Sequence, residues 1–294
     1  MKKRKFKILI SALMITMIGG MFVGCGNSGE SADSTGNSIT ISGSSAMLPL
    51  MEQSIEKFNE AKPGNTINAQ AGGSGTGLTQ VLDGTVNIGN SDVYAKDKLT
   101  EDQAKELVDH KVVGQGFGVV VNKESGVTNL TKAQIKDIFS GKIKNWKEIG
   151  GKDLEILVIH RPASSGTRAT FIEKVLDGKK ELENDSIGAT QDSNGAVLSA
   201  MKKNGGAISY LALSYMNNDE AKNTLSLVSI DGQEPTVQNI KEGKYDFWSW
   251  GHMYTKGEAN GLSKEFIDFV GSDDNKELIE KLGLIQGSEI KENS

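Results

Sequence analysis

Three short stretches rich in glycine and hydroxyl side chains carry the chemistry of this sequence: GSSAM at 43–47, GGSGTG at 72–77 and RPASSGTR at 161–168. Each stands just before a run of apolar residues at helical spacing. A helix start aims unpaired backbone N–H groups and the positive end of the helix dipole at whatever lies beyond it. On chemistry, Thr76 adds a hydroxyl donor and Arg168 adds charge. Donors and dipoles directed at one point hold phosphate-like anions, so the expected chemistry is recognition of an oxyanion. Each feature also has a plain structural reading. Gly-Ser turns punctuate loops, Ser45 and Ser74 could simply cap helices, Asp92 could form a turn, and Arg161 could be a surface ion pair. Arg168 is harder to dismiss, because a cation in the first turn of a helix opposes the dipole and calls for an anionic partner, either a ligand or a nearby carboxylate.

The elements that must position these residues follow from periodicity and punctuation. A strand at 38–41 leads through GSSA to a helix marked by Met51, Ile55 and Phe58, with Pro49 suited to its first turn. Residues 67–71 lead through GGSGTG to a helix carrying Leu78, Val81 and Leu82, with Gly84 as its C-terminal stop. A buried strand at 86–89 then delivers the loop Asn90-Ser91-Asp92. Residues 112–121 form a long apolar stretch interrupted by Gly114, Gly116 and Gly118, a candidate crossing between two lobes. Thr131 and Gln134 form a capping box ahead of Ile135, Ile138 and Phe139. A strand at 156–159 delivers His160 and Arg161, followed by SSGTR and a helix bearing Phe171, Ile172, Val175 and Leu176 that ends near Gly178. Two amphipathic helices close the chain, one with Leu262, Phe266, Phe269 and Val270, the other with Leu278, Ile279 and Leu282. Repeated strand, polar turn and helix imply an α/β fold, in which ligands sit beyond the carboxyl ends of the strands. All three junctions lie there. Trp146, Trp248 and Trp250 are expected to fill the core or line a hinge, and Lys142, Lys144 and Lys147 to form a solvated face.

The N-terminus sets the compartment. Lys2, Lys3, Arg4, Lys5 and Lys7 precede an acid-free apolar run that ends at Cys25, the only cysteine in the 294 residues. This is the pattern of a secretory signal peptide over 1–24, and the run is short for a membrane span. Phe22-Val23-Gly24-Cys25 resembles a bacterial lipobox, which makes Cys25 the site of lipidation, by a palmitoyl-type acyl anchor to the cell membrane. Residues 25–37, Gly-, Ser- and acid-rich without apolar periodicity, read as a flexible tether. A lone cysteine excludes disulfides and thiolate metal sites. Loss of the five leader cations takes the formal charge from −5 to about −10, a sign that disfavours nucleic acid as a partner. An anionic ligand must therefore be held by local dipoles and placed arginines against the global field.

Enzyme chemistry finds little support. There is no G-x-S-x-G elbow and no Walker A loop. Ser54-Ile-Glu-Lys57 and Ser199-Ala-Met-Lys202 both fit S-x-x-K, but on ordinary amphipathic helices. His110, His160 and His252 lack metal-ligand spacing. A secreted phosphatase, a serine hydrolase and a purely structural lipoprotein stand as rival readings, and no cofactor or metal is expected.

GSSAMLPL, GGSGTGLTQV, NIGNSDVY, NLTKAQIKDIFSGKIKNWKEIGG and R-x-x-x-SGTR occur in the order in which they occur in the periplasmic-type phosphate-binding proteins that serve high-affinity phosphate ABC transporters. The chain resembles that family from about Ile39 to the C-terminal helices. The resemblance implies a two-lobed class II binding-protein fold, with lobe I at 38–116 plus 251–294, lobe II at 117–250 and the ligand cleft between them. It implies a monomer that binds inorganic phosphate and passes it to membrane permease subunits, with no catalytic step. Carried over by position, the anion contacts are Ser45, Ala46, Ser74, Asp92, Arg161, Ser165, Gly166 and Thr167, with Thr76 and Arg168 added on chemistry alone. Asp92 carries selectivity on this reading, because protonated phosphate can donate to a carboxylate and sulfate cannot. Sulfate and molybdate are the alternative ligands. Ala163 departs from the family, in which an aspartate braces the arginine.

Overall fold

The computed structural model of the chain describes residues 38–290. The leader, the lipobox at Cys25 and the tether lie outside the described residues, and no described helix is long and apolar enough to cross a membrane. The chain opens with β1 (Ser38–Gly43), α1 (Leu48–Ala61), β2 (Thr66–Ala71), α2 (Ser74–Leu82), β3 (Ile88–Ser91), α3 (Glu101–Lys105) and the long β4 (Leu107–Asn122). It continues with β5 (Asn129–Leu130), α4 (Lys132–Phe139), β6 (Leu157–His160), α5 (Gly166–Lys174), β7 (Ala189–Thr190), α6 (Asn194–Lys202), β8 (Ala207–Ala212), α7 (Asp219–Thr224) and β9 (Leu225–Ile230). The last elements are α8 (Val237–Lys241), β10 (Trp248–Lys256), α9 (Gly261–Val270), α10 (Lys276–Lys281) and β11 (Ile285–Gln286).

Strand β4 organises the molecule because its two halves pair with different partners. Residues Leu107 to Gly116 run antiparallel to β10, with β11 on the opposite edge at Val113 and Gly114. From Phe117 onward the same strand lies between β8 and β9. The sheet therefore reads β2, β1, β3, β10, β4, β8, β6, β7, mixed parallel and antiparallel. The glycines of β4 permit close packing at the changeover. A Cβ on Gly116 would meet Ile240 and Leu213 at 2.6 Å, and one on Gly118 would meet Leu227 at 2.4 Å.

Each half of β4 has its own core. Around the first half, Ile41, Met51, Phe58 and Phe266 are buried, with the Phe58 and Phe266 rings edge to face at 5.5 Å. Around the second half, Phe117, Phe139, Trp146, Phe171 and Tyr210 are buried, and Phe171 stacks on Tyr210 at 4.2 Å. Burial of such rings supplies most of the driving force that orders the loops above them. Trp146 fills this second core and donates to the Gly206 carbonyl, whereas Trp248 and Trp250 sit half-buried on β10, their rings 6.3 Å apart. Lys142, Lys144 and Lys147 are exposed, as their spacing suggests.

Helix signals translate directly. Pro49 stands in the first turn of α1, Gly84 follows α2 at φ +77°, and Thr131 and Gln134 form the expected reciprocal cap on α4. The strand expected at 86–89 is shifted. Pairing with β1, which matches Ile41 to Ile88 and Gly43 to Asn90, and with β10, which matches His252 to Ser91, draws Asn90 and Ser91 into β3 and leaves Asp92 immediately beyond its end.

Candidate functional site: side chains gathered at four helix starts

The first two junctions meet on the carboxyl ends of β1 and β3. Gly43 has φ +137° and its carbonyl accepts from the backbone amides of Gly72 and Gly73 at 2.9 and 2.8 Å. A Cβ there would lie 2.1 Å from the Asn90 carbonyl oxygen, so only glycine lets the two turns close on β3. Asp92 is 2 % exposed. Its Oδ1 accepts from the Ser44 hydroxyl and from Gln115 Nε2 at 2.8 Å, and its backbone N–H donates to the Ser74 hydroxyl at 2.9 Å.

The third junction closes over this group. Ser165 caps α5 by accepting from Arg168 N at 3.1 Å, and Thr167 in the first turn donates to Asp92 Oδ2 at 3.1 Å. Gly75 N donates to the Ser164 carbonyl at 2.9 Å, which ties the second junction to the third. Gly166 is the point of closest approach, since a Cβ there would fall 2.1 Å from Ser74 Oγ and 2.8 Å from Asp92 Cβ.

A fourth helix start joins these three. Asn194 opens α6 behind the cap Ser193, is wholly buried, and accepts from Ala212 N at 3.0 Å through its side-chain oxygen. That bond turns its amide nitrogen inward. Ser45 Oγ receives the Asn194 backbone N–H at 3.1 Å, Asn194 Nδ2 at 3.0 Å and Arg161 Nη2 at 3.2 Å. Asn194 Nδ2 also reaches Thr167 Oγ1 at 3.3 Å, and the Tyr215 hydroxyl donates to the Ser45 carbonyl at 2.7 Å.

Arg161 is 1 % exposed, and burial lowers the pKa of its guanidinium, opposed by nearby Tyr210 and Asp92. Nη2 is held by Ser45 and by the Asp192 carbonyl at 3.1 Å, whereas Nε and Nη1 are buried with no hydrogen-bond partner among the described residues. Burial raises the pKa of Asp92, a shift moderated by the Ser44, Gln115 and Thr167 hydrogen bonds and the Arg161 charge. The site thus pairs one buried cation with one carboxylate that burial pushes toward its protonated form.

The structure brings Ser45, Ala46, Ser74, Asp92, Arg161, Ser165, Gly166 and Thr167 to one place. Ala46 contributes less than the sequence suggests, because its N–H is taken by Ser44 Oγ at 3.1 Å. Thr76 is half-buried in α2 beside Gly72 and makes no contact with this cluster. Arg168, expected on chemistry to contact the anion, is paired with carboxylates and a carbonyl. Its Nε lies 2.8 Å from Glu183 Oε2, its Nη2 2.8 Å from Asp185 Oδ2, and its Nη1 donates to the Arg161 carbonyl, so carboxylates occupy its charge. Ser44, Gln115, Asn194 and Tyr215 escaped the sequence reading. Asn194 was accessible, since Asp192-Ser-Asn-Gly195 repeats the junction pattern of the other three. Gln115 carries no local signal at all, lying in the middle of β4.

Ser54 is buried in α1 and accepts from Asn275 Nδ2, and no group of acids, histidines or cysteine among the described residues could hold a metal ion. His160 pairs with Glu183, while His252 and His110, on the neighbouring strands β10 and β4, pair with Asp109 and Thr255.

Comparisons with known proteins agree with this arrangement. The family described as "PBP superfamily domain" matches residues 28–274. The phosphate-binding protein PstS of Bacillus subtilis is 45% identical over 99% of this chain and 97% of its own length. A crystal structure of a substrate-binding protein assigned to a phosphate ABC transporter of Clostridium perfringens, solved with bound phosphate, is 33% identical and superposes with a TM-score of 0.76 over 85% of this chain and 99% of that one. An ABC-type phosphate transport receptor from Vibrio cholerae is 30% identical, with a TM-score of 0.64 over 85% of this chain and 99% of its own.

Proposed function

The chain belongs to the PBP superfamily, and from that membership we propose that it is the extracytoplasmic receptor that binds inorganic phosphate and delivers it to an ABC transporter permease. The observation that carries this reading is the excess of donors on Ser45 Oγ. A hydroxyl oxygen has two lone pairs, yet three N–H donors from Arg161 and Asn194 converge on it, and two further nitrogens of Arg161 go unmatched. Such a surplus, fixed at four helix starts in a buried site, is suited to an anion that carries several acceptor oxygens. We assign the contacts to Ser45, Ala46, Ser74, Asp92, Arg161, Ser165, Gly166 and Thr167, and add Asn194.

The mechanism is recognition without a chemical step. Backbone and hydroxyl donors meet the ligand oxygens, and Arg161 supplies a charge-assisted contact. Phosphate at neutral pH keeps at least one proton, which Asp92 can share. Sulfate has none, so its oxygen would face the Asp92 carboxylate unbridged, a desolvated mismatch that rejects it. Sulfate or molybdate is the alternative ligand, and this proton argument disfavours both.

The changeover of partners along β4 supports lobe I at 38–116 plus 251–294 and lobe II at 117–250, with the site contributed by both. Closure of the lobes about that strand would bury the ligand. Upstream, the leader ending at Cys25 supports a lipid anchor on a monomer held at the outer face of the cell membrane. Calorimetric titration of residues 25–294, stripped of bound anion by unfolding and refolding, tests the assignment. One-to-one phosphate binding with sulfate excluded is expected, and binding of neither would overturn it.

A further inference from the structure

We propose that Glu183 and Arg168 form a buried brace that positions Arg161 for the anion, in place of the acidic side chain that position 163 lacks. This rests on the phosphate-binding reading above and deepens it.

The guanidinium of Arg161 has a single side-chain partner, the Ser45 hydroxyl, and one carbonyl, that of Asp192. Ala163 offers no side-chain acceptor, and its carbonyl is taken by Lys98 Nζ at 2.8 Å. With Nε and Nη1 unmatched, the direction of the Arg161 side chain depends on how firmly its main chain is held. Bonds from two neighbouring segments hold the main chain on either side of this residue. Gln191 N donates to the His160 carbonyl at 2.9 Å, and Arg168 Nη1 donates to the carbonyl of Arg161 itself.

Arg168 can reach back only because carboxylates hold its guanidinium. Glu183 is 3 % exposed, and its Oε2 lies 2.8 Å from Arg168 Nε. Its Oε1 accepts from the Tyr210 hydroxyl and faces His160 Nδ1 at 3.3 Å, while His160 Nε2 meets the Ile187 carbonyl at 3.0 Å. Asp185, at the protein surface, takes Nη2. A buried glutamate would be costly unless paired, and here its partners are Arg168 of α5, Tyr210 of β8 and His160, the last residue of the strand that precedes Arg161. The brace therefore runs from Tyr210 and His160 through Glu183 and Arg168 to the Arg161 carbonyl. It also answers the cation in the first turn of α5, where the helix dipole alone would be unfavourable.

The brace acts through Arg161, so a double-mutant cycle separates it from general destabilisation. Phosphate binding is measured by calorimetry for the native chain, Glu183→Gln, Arg161→Ala and the double variant, each with its ligand-free melting temperature. Glu183→Gln is expected to weaken phosphate binding about tenfold in the native background, because it removes the buried charge that pairs with Arg168. In the Arg161→Ala background the same change is expected to have no effect, since the arginine it positions is gone. An equal loss in both backgrounds, or no loss in the native one, would overturn the brace. Should Glu183→Gln fail to fold, Arg168→Gln takes its place in the cycle with the same two outcomes, because Arg168 is the partly exposed end of the chain of contacts. Absence of phosphate binding by the native chain would instead remove the functional reading, and the brace with it.

Discussion

Asp92 concentrates the selectivity argument in one carboxyl group. It is buried, accepts from Ser44, Gln115 and Thr167, and burial raises its pKa. Replacement by asparagine keeps the shape and adds an N–H donor that an unprotonated oxygen can accept. Asp92→Asn should therefore narrow the preference for phosphate over sulfate by about tenfold or more, the cost of an unpaired buried polar group, and competitive titration of the two anions reads it. An unchanged ratio would remove Asp92 from selectivity. The same group makes stability depend on pH. Between the ordinary aspartate value of about 4 and the raised folded value, the folded ligand-free chain keeps a proton that the unfolded chain has released. Stability must therefore fall as pH rises through that window. Thermal melting of the ligand-free protein should show this slope, and Asp92→Asn should flatten it.

At the scale of elements, the helix starts matter as a set because the turns that precede them touch. Gly166 is the first residue of α5, and the space for a Cβ there is already filled by Ser74 Oγ and Asp92. Gly166→Ala should push α5 from α2 and β3, and weaken phosphate binding more than tenfold, a loss of about 1.4 kcal/mol or more. The ligand-free melting temperature should change less than that loss implies, because the clash is between junctions and not inside either core. A variant that binds phosphate as the native chain does would show that these junctions need not approach so closely. The helices themselves were legible in the sequence because caps and apolar spacing are local signals. Pro49, Gly84 and the Thr131 and Gln134 box each set a helix end from within a few residues. Strand ends were less so. Asn90 and Ser91 join β3 because β1 and β10 lie beside them, and pairing across the chain has no local signature.

The receptor proposed above would bind its anion against its own charge. Residues 25–294 carry about −10, so the long-range field would repel phosphate while Arg161 and the helix starts would attract it at close range. Added salt screens the first more than the second, because the Debye length at about 0.15 M is roughly 8 Å and the site is buried. The association rate of phosphate, followed by stopped flow, should rise with ionic strength up to physiological salt, and a steep fall would point to steering by a positive surface instead. Trp248 and Trp250, half-buried on β10 opposite Gly116 and Gly114 of β4, stand where the change of partners occurs and are suited to report closure by fluorescence.

From the sequence alone, the glycine-hydroxyl junctions predict an oxyanion binder, and the leader pattern with its lone cysteine predicts export, because helix caps, turn residues and targeting signals act over a few neighbouring positions. The order of the family's motifs then narrowed the oxyanion to phosphate. Only the tertiary structure decided which donors meet. It drew Asn194 into the site, paired Gln115 with Asp92 from the middle of a strand, and turned Arg168 away to Glu183 and Asp185. Those outcomes depend on contacts between segments far apart in sequence, where a guanidinium or an amide takes whichever partner the packing of two cores sets within its reach.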